Sequence, residues 1–558
     1  MTSRTGGQLL VDSLLANGIT FGTCVPGESF LAILDAIYAV NGGSGDPAFR
    51  LITARHEAAA ANMAEAAGKL EGRPSVCFVT RGPGAMHAAI AVHTAYQDGT
   101  PMLLVVGQIA RSLRGREAFQ EMDYAAVFGT TTKRVIEIDH AARVGEQVAR
   151  AVYVATSGWP GPVVLVVPED MLTELTDSEP VVAPAQSHPL AAPAAVDDLL
   201  HRLATAERPL VVTGGPRWSS GTSRNLQTFA EANSLPLAAG FRWQDTVDNR
   251  SDSYVGYLGL GCSPELRARA QEADLIVGFG GRLDDPTTDG YAMVDGRAPG
   301  QAVVLVGEEP ADAVTTMIPD AVLTASADAV AAQLAGCTLP RSPARQAWTE
   351  RLRSEHLRFS EPPESAGTVN VAEIVRHVRA TVPDNAIVTT GAGNYTVWVQ
   401  RFFQFRERGT QLAPRNGAMG YGYPAALSAA AIRPGTPVIA FAGDGCLLMS
   451  GSEIATAVRE RLRVVLIVIN NGMFATIRMH QERAYPGRPI ATDLTNPDFT
   501  AYGSSFGAAT FLVESTDQFA EAFQAALAHD GPTLIEVRTD PRQITPDRRL
   551  ATPTKEQQ

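Results

Sequence analysis

Short unbroken apolar runs punctuate this chain, separated by longer stretches whose apolar positions recur at helical spacing. In the first third, residues 7–17 carry the helical spacing, an apolar run follows at 21–25, and the turn Pro26-Gly27-Glu28 closes it. Further runs lie at 50–53, 74–80, 102–107 and 162–167, the last closed by Pro168. Continuous apolar strands alternating with helices predict a parallel sheet covered on both faces. A Pro- and Ala-rich stretch, 179–193, has linker composition. The pattern then resumes with strands at 209–214, 274–281 and 302–307, turns polar and proline-bearing over 338–364, and returns at 386–390, 437–442, 464–469 and 532–537.

A chain of 558 residues suits about three domains. We therefore expect three consecutive doubly wound α/β domains with parallel sheets, over residues 1–178, 190–340 and 366–545, and a loose tail at 546–558. The pattern does not decide whether the first and third blocks share one fold.

The net charge of −13 is spread along the chain, which argues against a nucleic-acid or anionic-membrane surface. The five cysteines form no CxxC pair, so neither a zinc site nor a disulfide framework is expected. The first residues lack a charged-then-apolar leader pattern, and no run reaches the ~18 apolar residues of a membrane span. A cytoplasmic protein is the expectation.

The chemistry concentrates at two places. Gly443-Asp444-Gly445 follows the apolar run 437–442, and Asn470-Asn471 ends the run 464–469. Asp444 and Asn471 are 27 positions apart, room for one helix returning the chain to a neighbouring parallel strand. Both side chains then emerge at the carboxyl end of the sheet, where open α/β folds bind ligands. A carboxylate and an amide oxygen are hard ligands suited to Mg²⁺ that also holds phosphate oxygens. Gly445 admits a diphosphate close to the backbone, and N–H groups from Cys446 onward face it. A GDG turn alone is commonly just a turn; with the double Asn at this spacing it is identified as a thiamine-diphosphate motif. Across all three blocks the chain resembles the acetolactate synthase branch (catalytic subunit) of the thiamine-diphosphate enzymes.

The resemblance implies a pyrimidine-binding first domain, a central Rossmann-like domain and a diphosphate-binding third domain. It also implies roles. Asp444, Asn471 and the carbonyl of Met473 would hold Mg²⁺, and Gly391, Gly393 and Asn394 would form a second loop under the diphosphate, with Gly443, Gly445 and Cys446 opposite. Ala475, Thr476 and Ile477 would also lie along the cofactor. In 416–424, Met419 would wedge the coenzyme into a bent shape and the Gly417 carbonyl would accept from its 4′-amino group. Glu57, in Arg55-His56-Glu57, would share a proton with N1′ of the aminopyrimidine and so switch on the thiazolium carbon. A carboxylic acid in an apolar pocket suits that task; without the resemblance, a Glu opening a helix is an ordinary dipole-satisfying choice. Pro26, Gly27, Gly84 and His87 would line the cofactor pocket, and Gln120 would face the reacting carbon. In this family the N1′ acid and the metal site come from different subunits, implying a homodimer or homotetramer; a regulatory subunit stays open.

The chain departs from acetolactate synthases on the acceptor side. Pro26-Gly27-Glu28 stands where they read Pro-Gly-Gly, Glu169 replaces a lysine, His87 replaces an asparagine, and 475–477 with His480 replace Gly-Met-Val and a later Trp. None of these changes is expected to touch the metal or the N1′ acid. They are expected to alter specificity, with Glu28 either protonating the reacting carbon or steering a polar acceptor. The expected function is a carboligase or decarboxylase acting on 2-oxo acids. A catalytically silent paralogue is the contrasting reading, opposed by the intact Glu57, Asp444, Asn471 and Met419. An oxidoreductase is opposed by the lack of a well-placed GxGxxG. Gly281-Arg282-Leu283-Asp284-Asp285 and residues 107–111 resemble parts of the family's FAD site, while related enzymes keep this domain without flavin.

Overall fold

The computed structural model describes residues 3–42, 47–293, 300–309 and 315–550; residues 551–558 of the expected tail lie outside them. Three six-stranded sheets follow one another along the chain.

The first contains β1 (Phe21–Cys24), β2 (Arg50–Thr53), β3 (Ser75–Val79), β4 (Met102–Gln108), β5 (Arg134–Glu137) and β6 (Pro162–Pro168), all parallel, in the order β2-β1-β3-β4-β6-β5. The second contains β7 (Pro209–Thr213), β8 (Leu237–Ala239), β9 (Tyr254–Tyr257), β10 (Leu275–Phe279), β11 (Ala302–Gly307) and β12 (Ala321–Thr324), in the order β9-β8-β7-β10-β11-β12. This is the strand order of dinucleotide-binding Rossmann folds. The third contains β13 (Ile387–Thr390), β14 (Gln411–Leu412), β15 (Val438–Gly443), β16 (Val465–Asn470), β17 (Ala509–Val513) and β18 (Thr533–Arg538), in the order β14-β13-β15-β16-β18-β17. Numbered from their own first strands, the first and third sheets have the same order, which answers what the hydrophobic pattern left open.

Central strands are largely apolar because helices cover both faces: β4 and β6 are buried at every position, with Gln108 the polar end of β4. The strands that pattern reading passes over are β5, β8, β9, β12, β14 and β17. All but β8 are sheet edges, half-exposed or very short, and β8 has only three residues.

By contact the chain forms two units. The first comprises 1–187, 414–434 and 448–462, and the second 188–413, 435–447 and 463–558. In the first unit the Ala-rich helix Glu57–Glu71 is buried over most of its length against the helices Pro83–Asp98 and Gly422–Ile432. Small side chains permit that closeness: a Cβ on Gly68 would sit 2.2 Å from the Pro101 carbonyl oxygen, and Ser428 donates to the Met63 carbonyl at 2.7 Å. The linker stretch has no regular structure but is tied down by Asn17, which donates to Val181 O and accepts from Ala183 N.

In the second unit, the turn 244–249 of the middle domain caps the edge of the third sheet. Asp245, 1 % exposed in its side chain, pairs with Arg408 at 2.8 Å and accepts from the backbone N–H groups of Gly409, Thr410 and Gln411. Gln244 N donates to the Gln411 side chain, and Asn249 accepts from Phe405 N. Among the described residues no helix is long and apolar enough to cross a membrane.

Candidate active site

In the first sheet the chain leaves β1 toward one side and returns at β3 on the other, so its switch point lies between the carboxyl ends of β1 and β3. Pro26-Gly27-Glu28 follows β1 and Thr80-Arg81-Gly82 follows β3. The two turns touch: a Cβ on Gly27 would lie 2.5 Å from Thr80 Cβ, and Ser29 Oγ is 3.0 Å from Thr80 Oγ1.

Glu57 opens the helix after β2, with His56 as the N-cap accepting from Ala58 N at 3.1 Å. Its carboxylate is largely sheltered, 14 % exposed. A Cβ at Gly84 would lie 3.4 Å from Oε1 and 2.9 Å from Thr80 Cγ2, so the carboxylate and the Thr80 turn both pack on that glycine. Oε2 lies 2.9 Å from His87 Nδ1, and the His56 and His87 rings stack with centroids 4.6 Å apart. The expectation that no departure touches this acid is thus corrected. The physical reason is helical: Gly84 and His87 are three apart in the helix Pro83–Asp98, so the face that meets Glu57 at Gly84 meets it again at His87.

The backbone leading into Glu57 is held by Glu453, which accepts from Arg55 N at 3.0 Å, His56 N at 3.1 Å and Thr456 Oγ1 at 2.6 Å. Glu453 is fully buried, and burial pushes its carboxyl above the usual range against the pull of those hydrogen bonds.

Gln120 lies in the loop beside Gly82, whose Cβ would meet Gln120 Cβ at 2.9 Å, and holds the left-handed backbone at φ 65°. Arg81, 9 % exposed in its side chain, donates to Glu28 Oε1 at 3.0 Å, Glu169 Oε2 at 2.9 Å and the Phe119 carbonyl at 3.4 Å. Glu121, by contrast, folds back on the loop, accepting from Gly115 N and Ala118 N.

The loop carrying Gly417 and Met419 belongs to the same unit. Arg415 N donates to Asp98 at 2.8 Å, Asn416 donates to Thr94 Oγ1 at 3.0 Å, and Tyr421 donates to Glu65 at 2.6 Å. Glu65 is fully buried, and desolvation raises its pKa while the nearby Lys69 opposes that rise. Gly417 is exposed with φ 71°, a left-handed conformation that suits glycine. Met419 is half-buried.

In the third sheet the equivalent switch point lies between β13 and β15, and the predicted diphosphate residues fall there. Gly391 N donates to the Tyr395 hydroxyl at 2.8 Å, and the Cys446 thiol donates to the Ala392 carbonyl at 3.2 Å, so Tyr395 and Cys446 tie the two loops together. Tyr395 also lies on Gly443, whose Cβ would be 3.0 Å from its ring. A Cβ on Gly445 would be 2.6 Å from Phe474. Asn394 accepts from Thr476 Oγ1 at 2.9 Å, bringing the helix Ala475–Ala484 to the same loop. Ala475 is buried at its start and Ile477 points outward, 53 % exposed.

Asp444 is 3 % exposed. Its Oδ1 accepts from Gly445 N and its Oδ2 from Gly472 N and Asn496 Nδ2, each at 2.8 Å. Strands β15 and β16 are parallel neighbours, with Gly443 opposite Ile469, as the 27-residue spacing requires. The double Asn divides its work: Asn470 turns to Glu536, donating at 2.8 Å, while Asn471 accepts from Met473 N at 3.2 Å. Burial raises the Asp444 pKa, and among the described residues no cationic side chain forms an ion pair with it. A buried carboxylate beside the Asn470 and Asn496 amides, with no counter-charge, fits a hard divalent cation. Asn496 and Glu453 carry no mark in the sequence that sets them apart: one lies in an Asn-Pro turn, the other in an ordinary helical stretch.

In the middle sheet, Leu283 is buried and Asp284 caps the helix Asp285–Thr288 by accepting from Thr287 N at 3.3 Å. The turns at Gly214-Gly215 and Gly280-Gly281 cross at its own switch point, where a Cβ on Gly215 would lie 1.9 Å from the Gly280 carbonyl oxygen.

Two acid-bearing switch points on sheets of one strand order, joined through a Rossmann-like middle domain, define a class, and three family profiles match it. They are the thiamine pyrophosphate enzyme N-terminal TPP binding domain over 4–127, the central domain over 196–334 and the C-terminal TPP binding domain over 391–537. The chain belongs to the thiamine pyrophosphate enzyme family, and within it to the acetolactate synthase-like branch. It is 31 % identical over 544 residues to the acetolactate synthase large subunit of Parasynechococcus marenigrum, covering 96 % of this chain and 87 % of that one. It is 29 % identical to acetolactate synthase isozyme 1 large subunit of Escherichia coli, over 96 % and 94 % of the two chains. To acetolactate synthase of Bacillus subtilis it is 28 % identical, over 97 % and 94 %. The protein is a thiamine-diphosphate-dependent enzyme of this kind.

Proposed function

We propose that the enzyme is a Mg²⁺-dependent carboligase that decarboxylates one 2-oxo acid and joins the remaining acyl unit to a second carbonyl compound. The observation carrying this reading is the buried Asp444 carboxylate with no ion pair among the described residues at one switch point, matched by the sheltered Glu57 carboxylate near the other.

When bound, thiamine diphosphate supplies the nucleophilic carbon that accepts the acyl unit as CO₂ leaves. Asp444, Asn471 and the Met473 carbonyl would hold Mg²⁺, and the glycine turns of the loops 391–394 and 443–446 would let the diphosphate approach the backbone. Glu57 holds and moves the proton at N1′. The Gly417 carbonyl would accept from the 4′-amino group, and Met419 would support the coenzyme beside it. Gln120 and Glu28 face the reacting carbon, and Pro26, Gly27, Gly84 and His87 complete the pocket wall. The working form is at least a homodimer. FAD in the middle domain is an open assignment: visible flavin absorbance surviving desalting marks it, and a colourless chain with full turnover removes it.

The deciding experiment incubates enzyme, thiamine diphosphate, Mg²⁺ and pyruvate with and without a carbonyl acceptor, following CO₂ and product mass. CO₂ release with a new carbon–carbon product is the expected result. CO₂ with only the protonated aldehyde would make it a decarboxylase, and no CO₂ from any 2-oxo acid would end the reading.

A further inference from the structure

Two of the residues that separate this chain from acetolactate synthases, Glu28 and Glu169, meet on one arginine beside the first switch point. Arg81 is buried between two carboxylates, with one terminal nitrogen on Glu28 and the other on Glu169, and its Nε on the Phe119 carbonyl. All three guanidinium nitrogens are therefore committed to this chain's own oxygens. Glu28 and Glu169 come from different strand ends, after β1 and after β6, so the arrangement needs both acids and the arginine between them.

Each acid spends one oxygen on Arg81. Among the described residues no hydrogen bond reaches Glu28 Oε2 or Glu169 Oε1, and the side chains are 69 % and 38 % exposed. One positive and two negative charges leave the cluster at −1. The cluster shares the Thr80–Gly84 turn with the glycine that faces Glu57, so its free oxygens lie beside the proposed reacting centre.

We propose that this clamp selects the second substrate: a carbonyl acceptor carrying hydrogen-bond donors and no carboxylate, such as a hydroxy- or amino-aldehyde. The inference rests on the carboligase reading and deepens it. A second 2-oxo acid would bring a carboxylate against two others, with the Arg81 guanidinium already spent on them, and like charge at contact is strongly disfavoured. A hydroxyl or ammonium group finds two acceptor oxygens instead. The balanced step follows. The donor loses CO₂, and the electron pair of the broken bond forms a bond from its acyl carbon to the aldehyde carbon. The aldehyde oxygen takes one proton, and a 2-hydroxy ketone leaves.

The test uses the wild-type enzyme with pyruvate as donor and glycolaldehyde, aminoacetaldehyde, acetaldehyde or a second pyruvate as acceptor. CO₂ release without added acceptor reports the underlying reading separately from acceptor choice. We expect kcat/KM for glycolaldehyde or aminoacetaldehyde to exceed that for a second pyruvate at least tenfold, and acetaldehyde to fall between. Preference for the amino compound alone assigns the cationic form, and equal preference assigns the hydrogen bond. The double variant E28G/E169K should reverse the order toward pyruvate, with E28Q/E169Q as the milder replacement should the first fail to fold. Wild-type CO₂ release with pyruvate as the best acceptor, or an order unmoved by both double variants, overturns the proposal.

Discussion

The first and third sheets share a strand order and put differently paired acids at the same topological place. At the first switch point a buried arginine is enclosed by two carboxylates, so the charge is compensated within the chain. At the third, Asp444 is buried and accepts from Gly445 N, Gly472 N and Asn496, with no ion pair among the described residues. One frame thus carries acids closed by their own arginine at one place and a carboxylate closed by hydrogen bonds alone at the other; on the proposed reading the first discriminates among substrates and the second holds a metal.

The contrast breaks most visibly at Asp444. Asp444→Ala should abolish saturable binding of Mg²⁺ with thiamine diphosphate by titration calorimetry, while Asn496→Ala, which removes one donor to that carboxylate, should weaken it about 10–100-fold; unaltered binding by Asp444→Ala would remove the metal assignment. Next in size, Glu57→Gln should slow deuterium exchange at the thiazolium carbon of bound cofactor by roughly 10²-fold, the usual contribution of a positioned acid–base, with Mg²⁺ affinity unchanged. Glu453→Gln tests the backbone support instead, and should cost about 1–3 kcal/mol in denaturant unfolding. Because burial raises the folded-state pKa of Glu453, the folded chain keeps its proton to higher pH than the unfolded chain. Its contribution is therefore full below the ordinary value of 4.5 and declines as pH climbs through the raised one, and the glutamine variant should lack that decline. The smallest effect belongs to His87→Asn, which should change exchange by only a few-fold at neutral pH and alter the pH profile; a loss as large as that of Glu57→Gln would promote His87 to the proton pathway.

What could be read in advance follows from where information sits along a chain. Interior strands such as β4, β6 and β15 announce themselves because both faces are covered and all positions but Gln108, at the end of β4, are apolar. Edge strands such as β5 and β17 alternate or face water, so their composition resembles that of loops. Asp444, Asn471 and their glycines were legible because two strand ends and one crossover set their spacing. Glu453 and Asn496 were not, since each acts on residues far away in sequence, across 398 and 52 positions. His87 lay between: its identity was visible as a departure, but its contact with Glu57 depends on which face of a helix meets a neighbour.

The cap on β14 carries a consequence for anyone dividing the protein. A two-residue edge strand offers unpaired N–H groups to any passing strand, and here those of 409–411 are occupied by Asp245 of the preceding domain. A recombinant fragment beginning near residue 366 would lose that carboxylate, strand the Arg408 charge, and expose a sticky border. Such a piece should self-associate in preparation, whereas one beginning near 188 keeps the border sealed.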